Sequence, residues 1–220
     1  MGGQELSNMG FMAALQQASV LKAIISSHCL SKYRDLFNLR HLVHRCCNAT
    51  HTFFLSCSKI TVTLEDVANQ LLLPILGAMY PGNIVISIEE EPVEVEQRKG
   101  MSGNAKLSHW VEAFSKASNV VRRATFVAFW LYKFIFSSYP YYAVKPLYFR
   151  FTIKISAGVS QPLAPMFLSH LYVRFAKEKY RSCPKVIIDF CSHFIFDFSL
   201  AYRCVRLKPF GHPTAEFFEG

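Results

Sequence analysis

What this sequence lacks narrows its function early. No apolar run approaches the ~20 residues that a membrane-spanning helix needs; the longest, 126–131, is cut by Lys133 before Phe134-Ile135-Phe136 resumes. A transmembrane role is not expected. No basic region followed by an apolar stretch stands at Met1-Gly2-Gly3-Gln4-Glu5, so a secretory signal is not expected either. The seven cysteines are odd in number and have no regular spacing, which argues against a disulfide framework and for a reducing, intracellular compartment. There is no G-x-S-x-G elbow, no Walker loop and no G-x-G-x-x-G after a strand, so common routes to acyl transfer and nucleotide binding have no signature here. Ser156-Ala157-Gly158 is too short to cradle phosphate.

What is present reads as a folded, aromatic-rich chain. Of 220 residues 51% are hydrophobic and 20 are Phe, enough apolar surface to build a core and too much for a disordered chain. The net charge of +9 is compatible with nucleic acid. Its Lys and Arg are scattered in short groups such as Arg122-Arg123 and Arg98-Lys99, without the basic face or arm that phosphate binding uses.

The stretch 60–77 is the most informative. Ile60 to Thr63 alternates like a half-buried strand, then the period changes. Thr63 followed by Asp66 is the pattern of a helix N-cap with an acidic first turn. Leu64, Val67, Ala68, Leu71 and Leu72 share one helical face. Pro74 disfavours helix at Leu73 and Gly77 can take a positive φ, so the helix should end near 72–73. Thr63, Asp66, Pro74 and Gly77 are thus expected to shape a structural corner.

Elsewhere, periodicity predicts helices over 12–25 and 31–47, a short β-hairpin near 52–63, and helices over 105–117, 122–136 and 162–175. The helix at 122–136 is apolar nearly all round and should lie inside. Residues 145–155 read as a helix, with strand a real alternative because of their β-branched and aromatic content. The Glu-, Pro- and Gly-containing stretch 84–103 reads as a solvated loop. The expected fold is mainly α, a compact multi-helix bundle with one small hairpin. It comprises a domain at 1–176 and a divergent segment at 177–220 whose end is poorly ordered.

Chemical constellations are weak. His41, His44, Cys46, Cys47, His51 and Cys57 cluster in sequence, but their spacing is not that of zinc knuckles, so no metal is assigned. Asp189, His193 and Asp197 would share a helical face, which describes a wet side as well as a site. Lys133 and Lys154 sit in apolar neighbourhoods, where snorkelling is the common reason and Schiff-base chemistry the rare one. No catalytic, cofactor-binding or metal residue is predicted, and no cofactor is expected.

The motifs at 42–53, Ile60-Thr61-Val62-Thr63-Leu64-Glu65-Asp66-Val67 and Leu73-Pro74-Ile75-Leu76-Gly77 resemble the plant mobile domain. That family has a Thr-His-Thr-Phe strand, a Thr-(Ile/Val)-Thr-Leu-x-Asp-Val corner and a Leu-Pro-x-x-Gly turn in this order. Trp110, Phe114, 122–136 and 164–172 look like its downstream helices, and the resemblance spans about 11–173. The chain departs from the pattern at Cys46-Cys47, where an aromatic is usual, and at Ser58-Lys59, where Gly-Glu is usual. The resemblance implies a transposon-derived, non-enzymatic module of the nucleus (the cytoplasm being the alternative). It also implies roles in transposon silencing, genome integrity and meristem maintenance, with a nuclear protein partner that the resemblance makes phosphatase-like. The family's "aminotransferase-like" label is not read as transaminase activity. The apolar excess places the candidate interaction surface at Phe126, Trp130, Phe134, Tyr139, Tyr141 and Tyr142. A nucleic-acid-binding domain and a pyridoxal-phosphate enzyme using Lys133 or Lys154 are the rival readings.

Overall fold

Asn8 caps a helix near the N-terminus. Its carboxamide oxygen accepts from Phe11 N–H at 3.0 Å, satisfying one of the donors a helix leaves open at its N-terminus, and α1 follows as Met9–Gln17. The computed structural model describes residues 5–29, 43–54, 58–78, 84–99, 110, 112–136 and 146–179. One helix over 12–25 is expected from periodicity, but two form. Ser19 takes a φ of 60°, a left-handed conformation that cannot continue a right-handed helix, and α2 resumes as Leu21–Cys29 after a bend of 109°. The bend carries Phe11 and Leu15 of α1 and Ile24 of α2 into one core, each with no exposed surface. Among the described residues no single helix is long and apolar enough to cross a membrane.

Most of the helix expected over 31–47 lies outside the described residues, and its C-terminal end is not helical. Cys46–Cys47 is strand β1, pairing antiparallel with β2, Thr52–Phe54. β2 pairs in turn with β3, Lys59–Thr61. The hairpin near 52–63 is therefore present and gains a third strand. Cys46 lies opposite Phe53, and both are buried, so the small thiol fills the space beside a ring on the inner face of the sheet.

β3 hands over to α3, Leu64–Leu71, through a complete capping box. Asp66 N–H donates to Thr63 Oγ1 at 3.1 Å and Thr63 N–H donates to Asp66 Oδ2 at 2.8 Å, an arrangement worth about 1 kcal/mol. The helix ends at Leu72, whose φ of 54° is left-handed. This corrects the role expected for Gly77: the positive φ belongs to Leu72. Gly77 is required for space, since a Cβ there would lie 2.5 Å from the backbone of Gln161. The turn 73–78 is laced to the loop before the last helix by Ala78 N–H to Ser160 O at 2.9 Å and Ala164 N–H to Pro74 O at 3.0 Å.

The solvated loop expected over 84–103 contains a helix, α4, Glu91–Lys99. Pro92 lies in its first turn, where a missing N–H costs nothing, and Val93, Glu94 and Gln97 are buried. So narrow an inward stripe is easily masked by surrounding Glu and Lys. A 3-10 turn at Phe114–Lys116 precedes α5, Asn119–Trp130, which continues as a wider π turn over Leu131–Ile135. Residues 146–155 settle as Pro146–Tyr148 in a 3-10 turn and α6, Phe149–Ser156, rather than as a strand. Gly158, at φ 93°, ends that run, and α7 follows as Leu163–Lys179.

The interior position expected for 122–136 is observed, for a definite reason. Phe126, Val127, Trp130, Leu131 and Ile135 face a core shared with α1, α2, the sheet, α3 and α7. Val121, Ala124, Ala128 and Tyr132 face a second core with Val93, Trp110, Phe114, Phe149 and Ile153. A helix between two cores keeps only a narrow wet side, here Arg122, Arg123, Phe129 and Lys133. The fold is mainly α with a small antiparallel sheet. The expected segment 177–220 lies, beyond Lys179, outside the described residues.

Candidate functional site

The corner 60–77 is tied to α7 through one phenol. Tyr172 OH donates to Val62 O at 2.8 Å, accepts from Val62 N–H at 3.1 Å and lies 2.8 Å from Thr61 Oγ1. Burial raises its pKa above the usual phenol value, outweighing the hydrogen bonds from Thr61 and Val62, so the hydroxyl stays neutral and can both donate and accept. His51, at a φ of 53°, stacks on the Tyr172 ring with centroids 4.3 Å apart, and its carbonyl accepts from Thr61 Oγ1 at 2.8 Å. Thr63 and Asp66 bond each other, and Pro74 and Gly77 pack on the 160–164 loop. All four corner residues are engaged in shaping the chain.

The aromatic surface expected over 126–142 is corrected at two positions. Phe126 and Trp130 are 3% and 1% exposed, because α5 buries both of its faces, and Trp130 Nε1–H donates to Ser27 Oγ at 3.0 Å. Phe134 is half-buried against the core. Tyr139, Tyr141 and Tyr142 lie outside the described residues.

Other sequence candidates fall apart in space. Of the six clustered His and Cys, His41 and Cys57 lie outside the described residues, Cys46 is buried in β1 and His44 is exposed. Among the described residues no three His, Cys, Asp or Glu are grouped to hold a metal. Asp189, His193 and Asp197 are outside the described residues. Lys154 Nζ lies 2.6 Å from Glu90 Oε2, and the exposed Lys133 rests its ammonium over the rings of Phe129 and Phe134, 5.3 and 5.2 Å from their centroids. One ammonium is engaged by a carboxylate and the other lies over two rings, neither of which is the desolvated, unpartnered setting that a Schiff-base lysine uses.

A groove that the sequence did not announce lies beside α4. It has a volume of about 720 Å³ and is lined by Ile84, Val85, Ile86, Ile88, Glu91, Glu94, Val95, Arg98 and Arg150. One wall is apolar and open to solvent: Val85 is 72% exposed and Ile88 88%. The floor is ionic. Glu94, its side chain only 6% exposed, takes Arg98 Nη2 on one oxygen at 2.6 Å and Arg150 Nε on the other at 2.9 Å. Burial pushes the Glu94 carboxyl up, but the hydrogen bonds and charges of Arg98 and Arg150 more than offset it, leaving its pKa below the ordinary value. Both guanidinium side chains remain about half exposed, so each can take a further acceptor. The i, i+4 spacing of Glu94 and Arg98 was the one signal that could have flagged this place.

A second groove, of about 510 Å³, lies on α7 among Phe136, Tyr148, Pro162, Pro165, Met166, Ser169, His170 and Val173. Phe136 and Tyr148 stack face to face at 4.9 Å, with His170 edge-on to Phe136.

The family model for the plant mobile domain matches residues 20–195. The chain belongs to the plant mobile domain family. The match takes in the sheet, the corner and every helix from α2 to α7, and it runs beyond Val173, where the resemblance read from motifs stops. No curated protein and no solved structure matches the chain. The plant mobile domain is transposon-derived and is not a known enzyme family. Its Leu-Pro-x-x-Gly turn, here 73–77, is the element that docks on the 160–164 loop.

Proposed function

We propose that this plant mobile domain is a non-enzymatic, nuclear interaction module. Its α4 groove takes an extended segment of a partner protein that presents apolar side chains next to an acidic one. The observation that carries the reading is the groove itself. Exposed Val85, Ile88 and Val95 form an apolar wall of the kind that marks protein contacts. Beside it stand two half-exposed guanidinium groups that share a single buried carboxylate, which favours a carboxylate on the incoming chain. Family membership supports placing the module in transposon silencing, genome integrity and meristem maintenance. A rise of transposon transcripts in plants lacking the protein is the expected consequence, and unchanged transcripts would remove that role.

The basic composition favours nucleic acid less. Arg98, Lys99, Arg122, Arg150 and Lys154 are each paired with a carboxylate, leaving them less able to neutralise phosphates. A peptide library displayed on phage and selected on the full chain tests the binding reading. Peptides with apolar residues around an Asp or Glu should be enriched, Ile88→Asp should abolish their binding, and Arg150→Glu should remove the acidic preference. Ile88 is almost fully exposed, so its substitution leaves the fold intact, which circular dichroism checks. No enrichment, or enrichment indifferent to both substitutions, would sink the reading.

A further inference from the structure

Residues 84–88 read Ile-Val-Ile-Ser-Ile, four of the five being β-branched, the class of side chain that sits best in a sheet. Yet the sheet is built from β1, β2 and β3, and the run 84–87 is in no helix, strand, turn or bend. It lines the α4 groove and amounts to about 13 Å of chain at the rise of a strand. Its side chains alternate as those of a half-buried strand do: Ile84 is 6% exposed and packs in the main core, Val85 stands out on the groove wall, and Ile86 is intermediate.

The main chain changes character at Ser87. From there it is satisfied locally: Ser87 N–H donates to Glu90 Oε2 at 2.8 Å, and Ser87 O accepts from Glu90 N–H at 3.0 Å and from Glu91 N–H at 3.1 Å. Among the described residues, none hydrogen-bonds to the main chain of Ile84, Val85 or Ile86. Main chain as little exposed as that of Ile84 is costly to leave without a partner, and an open strand edge is a template for pairing with another chain.

We propose that the partner segment enters the α4 groove as an added β-strand, exchanging main-chain hydrogen bonds with 84–86. The inference rests on the proposed function and names how the segment is held. In strand addition the main chain supplies affinity and alternate side chains supply specificity. Successive side chains of a strand point to opposite faces, so every second residue of the partner meets the groove. Those residues are apolar against Val85, Ile88 and Val95, with a carboxylate in the same row against Arg98 and Arg150, whose bonds to Glu94 leave further guanidinium N–H groups to donate.

The test uses the full chain and a short synthetic peptide with valine and aspartate at alternate positions and threonine between them, together with forms N-methylated at one amide each. The unmodified peptide should bind, and Ile88→Asp should abolish its binding. Alternate residues of a strand direct their N–H groups to the same edge. Methylation should therefore weaken binding by about tenfold at every second amide and by little at those between. On the protein, amide exchange followed by NMR should slow by about tenfold on binding, at Ile84 and Ile86 together or at Val85 alone, according to the edge used. Binding with no two-residue period, or with exchange at 84–86 unchanged, would overturn strand addition and leave the proposed function standing. An unmodified peptide that fails to bind would also overturn it, and the phage selection then judges the proposed function by itself. The methyl groups are on the peptide, so the fold of the protein is untouched.

Discussion

Gly77 and Tyr172 show how single residues hold this domain together across the chain. Gly77 has no room for a side chain, because the backbone of Gln161 occupies the place where Cβ would be. Backbone cannot swing aside as a long side chain can, so Gly77→Ala should destabilise the protein by about 1–3 kcal/mol. In urea unfolding this would appear as a lower midpoint with an unchanged slope; an unaltered midpoint would show that the turn does not dock as described. Tyr172 does the equivalent work at the other end of α3, satisfying the main chain of Val62 from 110 residues away. Thr63 and Asp66 could be read from the sequence because a capping box is complete within four residues. The role of Gly77 could not, since its partner is remote and a glycine tells nothing of which of its two properties is used.

At the scale of elements, α4 and α6 are joined by ion pairs as well as by the apolar contact of Val93 with Phe149 and Ile153. Glu94 binds Arg150, and Glu90 binds Lys154. Burial raises the Glu90 carboxyl as it does that of Glu94. For Glu90 the Lys154 hydrogen bond and charge and the bonds from Ser87 more than offset it, so both carboxyls lie below the ordinary 4.5. A depressed folded pKa means that the unfolded chain takes up protons first on acidification. The stabilisation is therefore full above about pH 4.5 and is lost as pH falls through the lower folded values. Thermal melts between pH 6 and 3 should show the loss below about pH 4.5, and Glu94→Gln should flatten that part of the profile. A variant profile parallel to the wild-type one would assign the acid sensitivity elsewhere. The α4 helix was hidden in the sequence because only Val93, Glu94 and Gln97 turn inward, and two of those are polar residues that composition counts as surface.

Across the whole molecule, α5 is the shared wall of two cores, which predicts that they unfold together. The chain contains only two tryptophans, and they divide between the cores: Trp130 lies in the one built by α1, α3 and α7, and Trp110 in the one built by α4 and α6. Trp110→Phe and Trp130→Phe therefore give two probes, one for each core. Their fluorescence transitions should coincide with each other and with the helical signal, as a two-state domain requires; separated transitions would mean that α5 does not couple the cores. The sequence by itself determined the local devices: the capping box, the Pro74 stop, the β-hairpin, the mainly helical class and the motifs of the plant mobile domain. Each of these is specified by residues a few positions apart, where hydrogen-bond geometry and periodicity decide. Tertiary structure alone decided that Phe126 and Trp130 are core and not surface, that Gly77 serves packing and not φ, and that Glu94, Arg98 and Arg150 meet beside an apolar wall. Those facts depend on which faces of distant elements are brought together, and burial, unlike a turn, is a property of the neighbours and not of the residue.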